Sequence, residues 1–196
     1  MKKLLLIGFV LTVFALGANA TAPVPFSIYA GGAVSVPSSP DGFKDGFNTG
    51  YHGMIGAGYK ALPMLQVVGK VEYHSFGFDF GDLSGIDGGN SKVWMFGADG
   101  RYSFNLPAAP VAPFVFGGLG MANVKQSEFS GTSLITSTLN ASIPEDQNKM
   151  YWNIGAGFDW TVSPTVKLFL QGRYVNVNTE GDATSFIPVT VGLRFF

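Results

Sequence analysis

Residues 187–196, IPVTVGLRFF, alternate between large apolar side chains and other residue types. The apolar positions are Ile187, Val189, Val191, Leu193 and Phe195. Successive side chains of a β-strand point to opposite sides, so these residues form one continuous apolar face. Such a face must pack against a protein core or against lipid, and the rest of the chain distinguishes the two.

Further segments of the chain show the same alternation or a β-rich composition, and each is longer than an ordinary strand of about 5–6 residues. Including the C-terminal segment, there are eight of them: 26–36, 49–60, 64–78, 92–104, 113–124, 149–161, 165–177 and 186–196. A tilted strand that crosses a membrane needs about 9–11 residues. The lengths therefore favour eight membrane-crossing strands.

Large aromatic residues lie near the ends of the apolar faces, as in the interfacial girdles of membrane barrels. They include Tyr51, Tyr59, Trp94, Tyr102, Phe104, Trp152 and Trp160. The opposite faces are rich in glycine and small residues, which suits a tight interior better than a solvated surface. A soluble β-sandwich would also alternate, but these two features favour an apolar face in lipid.

The N-terminal residues have the pattern of an export signal. Two lysines precede an apolar run at 4–17, and Ala18-Asn19-Ala20 follows. This pattern predicts a cleaved secretory signal peptide over 1–20 and a single barrel domain over 21–196. An uncleaved anchor helix is the alternative, although the run is short for a helix that spans a bilayer.

The charge content is low for a soluble protein. Only 13% of the residues are charged, against about 25% in ordinary soluble domains. Without Lys2 and Lys3, 10 basic residues stand against 13 acidic ones, which provides no basic footprint for nucleic acid. The chain has no cysteine, so disulfides do not stabilise it. We expect no nucleic-acid partner and no cofactor.

The connections between the predicted strands alternate in length. The odd ones, which are longer and polar, are 37–48, 79–91, 125–148 and 178–185, and the even ones, which are generally shorter, are 61–63, 105–112 and 162–164. This alternation predicts short periplasmic turns, longer extracellular loops and periplasmic termini. A membrane helix over the uncharged stretch 102–124 is the alternative, and three prolines within it oppose a helix. We predict an all-β fold, an eight-stranded antiparallel up-and-down transmembrane β-barrel.

These features resemble the small eight-stranded outer-membrane barrels of the OmpA/OmpX type, in the porin-like barrel family of Gram-negative bacteria. The resemblance includes SPTVKLFLQGRYV (163–175) and the ending VGLRFF (191–196). It implies a protein of the cell outer membrane and cell envelope. It also implies a recognition signal for the barrel-assembly machinery, formed by Val191, Leu193, Phe195 and Phe196. Phe196 departs from the pattern, since the apolar alternation ends at Phe195.

Polar residues collect on the faces that would point into the barrel. The predicted lumen network comprises Lys70, Glu72, His74, Asp99, Arg101, Asp159, Lys167, Gln171, Arg173 and Arg194. The interior of an eight-stranded barrel is just wide enough for side chains, so these charges must pair with one another or bind trapped water. We expect the register that places Glu72 opposite Arg101 and His74 opposite Asp99, or a diagonal equivalent, because opposed like charges are unfavourable. The network is either a stabilising plug or part of a gated ion path.

An enzymatic role has one candidate constellation, Glu72, His74 and Ser75. Adjacent residues of a strand point to opposite faces, so His74 and Ser75 cannot form a nucleophile–base pair. The chain also lacks the His-x-Ser-Asn pattern of the lipid A deacylases. We therefore predict no catalytic residues and no enzymatic activity.

The longer loops carry the remaining functional candidates. Loop 79–91 holds Asp79, Asp82 and Asp87 among glycines, and it is either a solvated acidic loop or a site for Ca²⁺ or for the divalent ions of lipopolysaccharide. Loop 125–148 either extends a hairpin that offers an edge to partners or forms a mobile tip.

We predict a monomer that contacts outer-membrane lipid and lipopolysaccharide and binds a host or surface ligand at its loops. Envelope support or adhesion is the leading functional hypothesis. A narrow pore for ions or small solutes is the alternative, and a lateral conduit for hydrophobic solutes, as in OmpW-type barrels, is a third.

Overall fold

The computed structural model of the chain describes residues 25–79, 86–104, 110–131, 140–141, 146–179 and 182–196. The predicted signal peptide lies outside these residues. A short helix, α1, covers Asp41–Gly46. The strands are β1 (Phe26–Ser39), β2 (Gly50–Lys60), β3 (Leu65–Phe76), β4 (Ile86–Gly88), β5 (Ser91–Ser103), β6 (Val111–Gln126), β7 (Phe129–Gly131), β8 (Gln147–Ser163), β9 (Val166–Val177) and β10 (Thr184–Phe195).

The eight long strands form a closed antiparallel barrel in the order β1-β10-β9-β8-β6-β5-β3-β2. The predicted fold class is therefore confirmed. β10 closes the barrel against β1, from Phe195 opposite Ile28 to Ile187 opposite Val36. Closure pairs the backbone groups of both edges, which a sheet within hydrocarbon requires because no water is present to satisfy them.

The outer surface of the barrel is a band of exposed apolar side chains. Ile55, Leu119 and Ile154 are 63%, 63% and 61% exposed, and Trp94 and Trp152 also lie on this surface. A soluble protein rarely exposes so large a contiguous apolar area. Among the residues described, no helix is long and apolar enough to cross a membrane.

The predicted register between β3 and β5 is wrong. The structure pairs Glu72 with Met95 and Arg101 with Gln66. This register places Tyr73 beside Trp94 on the outer surface, with ring centroids 4.9 Å apart.

The observed register also explains how the like charges are separated. Lys70 lies opposite Gly97, which leaves space for the lysine side chain to reach Asp99 diagonally at 2.6 Å. The prediction allowed a diagonal equivalent of the Glu72–Arg101 pairing. The charges in the barrel are instead neutralised by the diagonal Lys70–Asp99 pair and by the Glu72–Arg173 pair across the lumen.

The barrel has two unlike ends. The turn end carries the short connections 61–64, 104–110 and 164–165. The loop end carries the connections 40–49, 77–90, 127–146 and 178–183. The first three are longer than every turn-end connection, as the sequence predicted, whereas 178–183 is one residue shorter than 104–110.

Two elements at the loop end were not predicted. Helix α1 lies in the first loop, and its Phe43 packs edge-on against Phe76 with ring centroids 5.1 Å apart. β4 and β7 belong to different loops and pair antiparallel, with Gly88 opposite Phe129. Gly88 and Gly89 have φ angles of 96° and 66°, a left-handed conformation that favours glycine and turns the chain from β4 into β5.

Candidate functional site in the barrel lumen

The inward residues of β3 give the order of the layers that fill the lumen. From the turn end to the loop end they are Gln66, Val68, Lys70, Glu72, His74 and Phe76, and all are buried. Polar layers therefore alternate with apolar ones along the barrel axis. Each layer is completed by side chains from other strands.

The central layer is an ion cluster that crosses the lumen. Arg173 Nη2 lies 2.7 Å from Glu72 Oε1, and both side chains are fully buried. Their strands, β9 and β3, lie diametrically opposite in the barrel. Lys70 Nζ lies 3.5 Å from Glu72 Oε2 and 2.6 Å from Asp99 Oδ2. Asn153 Nδ2 donates to Asp99 Oδ1 at 3.0 Å, so the cluster connects four strands.

A histidine layer lies next to the central layer, toward the loop end. The rings of His52 and His74 stack with centroids 5.0 Å apart. Ser35 Oγ lies 3.1 Å from His52 Nδ1 and 2.9 Å from His74 Nδ1, and His52 Nε2 lies 2.9 Å from Thr190 Oγ1. These contacts tie together β1, β2, β3 and β10 inside the barrel.

A second ion cluster lies near the turn end. Asp159 accepts two hydrogen bonds, from Arg101 Nη2 to Oδ1 at 2.6 Å and from Arg194 Nη1 to Oδ2 at 3.1 Å. Arg101 also donates to the Tyr29 hydroxyl at 3.1 Å, and Tyr29 in turn donates to Gln66 Oε1 at 2.5 Å. The Arg101 guanidinium lies 3.6 Å from the centroid of the Phe114 ring.

Two apolar clusters separate and cover the polar layers. The first, at the loop end, contains Phe43, Phe76, Val93, Met95, Ala122, Tyr151, Val175, Val177 and Phe186. The second, between the two ion clusters, contains Tyr29, Met54, Val68, Phe114, Phe116 and Phe169. Aromatic and aliphatic side chains thus fill the sections of the lumen that the ion pairs leave.

The structure brings most of the predicted lumen residues together, although their functional role stays a prediction. Lys70, Glu72, Asp99 and Arg173 meet in the central cluster, and Arg101, Asp159 and Arg194 meet near the turn end. His74 lies in the histidine layer, and Gln171 Nε2 lies 3.8 Å from Met54 Sδ. Lys167 differs from the rest, because it is only half-buried, at the turn-end mouth.

Several neutral polar residues of the lumen were not among the predicted ones. Ser35, Asn153 and Thr190 are buried and contact the charged or histidine side chains. Each occupies an inward position of the alternation, so strand parity alone could have identified them.

His74 points away from the partner that the enzymatic hypothesis considered. Its Nδ1 contacts Ser35 on β1, whereas Ser75 follows His74 on the same strand and pairs through its backbone with Tyr51 and Lys92. Ser35 is 0% exposed, so a substrate has no access to its hydroxyl in this arrangement.

Phe195 and Phe196 lie on opposite sides of the barrel wall. Phe195 continues the outward row of Val191 and Leu193. Phe196 has the inward parity, and its ring centroid lies 4.4 Å from the Arg194 guanidinium and 5.6 Å from Lys167 Nζ. Phe196 therefore covers the turn-end mouth of the lumen, which accounts for its departure from the apolar alternation. The assembly-signal role of these residues stays a prediction.

Cavities enter the barrel from both ends. A cavity of about 280 Å³ at the loop end is bordered by Phe43, Val93 and Gln147. Another of about 280 Å³ at the turn end is bordered by Lys60, Lys167 and Arg194. Between them lies a void of about 20 Å³ lined by residues of both ion clusters, which is enough for about one water molecule.

The loop end is strongly acidic. By sequence, the connections 40–49, 77–90, 127–146 and 178–183 contain ten of the 13 acidic residues of the chain and one basic residue, Lys44. Within the described part of the chain, no group of three or more His, Cys, Asp or Glu side chains is placed to hold a metal ion. Asp82 falls outside that part and the Asp87 side chain is not described, so Ca²⁺ binding by loop 79–91 stays a prediction.

The closed barrel, its apolar outer band and its filled polar interior define an outer-membrane β-barrel protein. Residues 8–195 match the family described as Outer membrane protein beta-barrel domain. The chain belongs to this family.

Solved structures of outer-membrane barrels have the same fold. Neisserial surface protein A is 21% identical with a TM-score of 0.61, over 87% of this chain and 96% of that one. OprG of Pseudomonas aeruginosa is 16% identical with a TM-score of 0.51, over 87% and 94%. At these identities the likeness concerns the fold alone. A search of curated proteins found no significant match.

Proposed function

We propose that the protein is an integral outer-membrane barrel with a sealed lumen, which acts through its loop end as an interaction surface outside the cell. Both termini then face the periplasm. The observation that carries the proposal is the Glu72–Arg173 ion pair, which crosses the full width of the lumen with both side chains buried. An enzymatic activity forms no part of the proposal.

The seal has more than one layer. The central ion cluster joins four strands, and the apolar loop-end cluster closes the lumen above it with Phe76, Phe186 and the inserted Phe43. A hydrated ion would have to displace both layers and break a buried ion pair, which is strongly unfavourable. This arrangement supports a scaffold rather than a channel.

The described parts of three loops contact one another at the loop end, which suits recognition. Aromatic contacts connect three loops, from Phe43 to Phe47 (5.3 Å), from Phe47 to Phe78 (5.4 Å) and from Phe78 to Phe129 (5.2 Å). The side chain of Asn140 accepts a hydrogen bond from the Phe129 backbone N–H at 2.7 Å and donates one to the Phe129 carbonyl at 3.0 Å. A surface held by such contacts loses less conformational entropy when it binds a partner.

The charge of this surface selects the chemistry of the partner. The loop-end connections hold ten acidic residues and Lys44, and Lys125 at the end of β6 pairs with one of these acids, Asp146. The remaining excess of acid attracts a cationic partner and repels polyanions, because complementary potentials favour encounter and like charges oppose it. We therefore propose a ligand with a basic surface, bound by the loops of a monomeric barrel. The outward apolar band would contact outer-membrane lipid and lipopolysaccharide, and β10 would be recognised by the barrel-assembly machinery.

A narrow pore is the second candidate, and one observation favours it. The two end cavities and the central void are separated only by side chains, so a rearrangement of the ion clusters would connect them. Conductance of the refolded mature protein in planar bilayers distinguishes the two candidates. A folded barrel without current steps supports the proposal of a sealed scaffold. Steady single-channel steps from the unmodified protein would refute it and support the narrow pore.

The interaction surface is tested with the refolded barrel in lipid nanodiscs. The probe is a lysine-rich peptide, and its glutamate counterpart is the matched control, at about 0.15 M salt where long-range attraction is screened. We expect saturable binding of the cationic peptide alone, weakened in the D41N/D45N variant of α1. Equal binding of both peptides, or no effect of the variant, would refute a loop-end site for cations.

A further inference from the structure

The turn-end cavity contains more cationic than anionic groups. Lys60, Lys167 and Arg194 line it together with a single acidic residue, Asp159. Both oxygens of Asp159 are already bound, one by Arg101 at 2.6 Å and the other by Arg194 at 3.1 Å. Arg101 thereby adds a fourth cation to the cluster. No side-chain anion in the described part of the chain compensates the other positive charges at this mouth.

The unused hydrogen-bonding capacity of these cations is specific. Among the described residues, Lys60 and Lys167 form no ion pair. The Arg194 side chain is nine-tenths buried, and its Nε is a buried donor without a hydrogen-bond partner. An unpaired buried donor is costly, and Arg194 bonds Asp159 through Nη1 alone, so Asp159 satisfies only part of this guanidinium.

We propose that the turn-end cavity binds a phosphate group. The cluster has three positive charges in excess of Asp159, so a multiply charged anion such as phosphate matches it. A volume of about 280 Å³ accommodates a phosphate with some of its water, given about 30 Å³ for each water molecule. Arginine and lysine are the side chains that proteins use to bind phosphate oxygens.

Phe196 shapes the entrance to this site. Its ring contacts both Arg194 and Lys167 and holds the two cations at the same side of the mouth. The exposed rings of Phe26 and Tyr59 lie 5.3 Å apart at the turn end of the paired strands β1 and β2. Exposed aromatic rings near the ends of membrane-crossing strands are typical of the girdles that meet lipid headgroups. The phosphate can therefore belong to an anionic lipid headgroup or be free in solution.

The test uses the full refolded barrel and two double variants that remove equal charge. K60Q/K167Q changes the cavity, and K44Q/K125Q changes exposed lysines at the loop end. Calorimetry in a phosphate-free detergent, with inorganic phosphate as the probe and constant ionic strength, should give saturable binding. We expect K60Q/K167Q to weaken it by about ten-fold or more, whereas K44Q/K125Q does not.

Native mass spectrometry from nanodiscs that contain phosphatidylglycerol separates the two sources of phosphate. Retention of one phosphatidylglycerol by the unmodified barrel and its loss in K60Q/K167Q assign the site to a headgroup. Phosphate binding without lipid retention assigns it to a free phosphate. The proposal is wrong if neither phosphate nor lipid distinguishes K60Q/K167Q from K44Q/K125Q, provided that heat-shifted gel mobility shows both variants folded.

Discussion

The hydroxyl of Tyr151 on β8 lies against Gly97 on β5, so closely that a methyl group at Gly97 would overlap it. The tyrosine ring reaches Gly97 across β6, where Gly120 also lacks a side chain and contacts the ring. Two glycines on neighbouring strands thus form the surface on which a buried aromatic residue of the loop-end cluster rests. Glycine at these positions serves close packing inside the barrel.

Gly97→Ala should therefore destabilise the barrel by about 1–3 kcal/mol, as expected for overpacking of a filled interior. The matched control is Gly100→Ala on the same strand, where the nearest atom to an added Cβ is 3.9 Å away. Gly100→Ala should be neutral or stabilise the barrel by about 0.4–1 kcal/mol. Urea unfolding from detergent micelles measures both variants. Equal losses in the two variants would contradict the packing role of Gly97.

Removal of the tyrosine hydroxyl tests the same contact from its other side. The Tyr151 hydroxyl is buried without a hydrogen-bond partner within the described part of the chain, so Tyr151→Phe should not weaken the barrel. In the G97A/Y151F variant the overlapping oxygen is absent, and part of the stability lost in G97A should return. A double variant no more stable than G97A would locate the clash elsewhere, for example at the Leu119 carbonyl.

Glu72→Gln should destabilise the barrel by about 3–5 kcal/mol, because it leaves a buried cation without its counter-charge. Arg173 would lose its ion-pair partner, whereas Lys70 would keep Asp99. The control is Glu128→Gln, since Glu128 is exposed at the loop end. The free energy of unfolding in urea is the measurement.

A second variant tests whether the loss in E72Q comes from the unpaired charge. E72Q/R173M removes both ends of the pair and should be more stable than E72Q alone. A double variant as unstable as the single one would show that packing, and not the uncompensated arginine, causes the loss.

The strands were predictable because two independent properties of the sequence agree on them. Period-two alternation sets their faces, and the requirement to cross a membrane sets their length, so the bounds predicted for β3 and β9 differ from the observed ones by at most two residues. Phe196 was also predictable in part. It shares strand parity with Arg194, and a residue two positions along a strand lies on the same face.

The register and the lumen contacts were not predictable from a single sequence. Register changes by even steps preserve every inward and outward face, so alternation cannot distinguish the predicted Glu72–Arg101 pairing from the observed Glu72–Met95 pairing. Glu72 and Arg173 are 101 residues apart, and their contact depends on the stagger of all the strands between them. Helix α1 has six residues, too few for a helical period to be recognised.

Opening of the lumen should require more than removal of the ion pair that crosses it. E72A/R173A removes the buried Glu72–Arg173 pair, but the apolar loop-end cluster still covers the lumen, so we expect no current steps in planar bilayers from the folded variant. The control is K125A/D146A, which removes an exposed Lys–Asp ion pair at the loop end. Current steps from E72A/R173A but not from K125A/D146A would show that the ion pair alone seals the lumen.

The orientation of the barrel can be tested with single cysteines because the chain has none of its own. Lys44 is exposed on α1 at the loop end, and Lys60 is exposed at the turn end. A large membrane-impermeant maleimide should label K44C on intact cells, since the proposal places the loop end outside. K60C should react only after the outer membrane is permeabilised. Lysine-to-cysteine changes at exposed positions are expected to alter stability by no more than about 0.5 kcal/mol, so both variants should assemble. The reverse labelling pattern would place the acidic loop end in the periplasm, and the basic partner would then have to be sought inside the envelope.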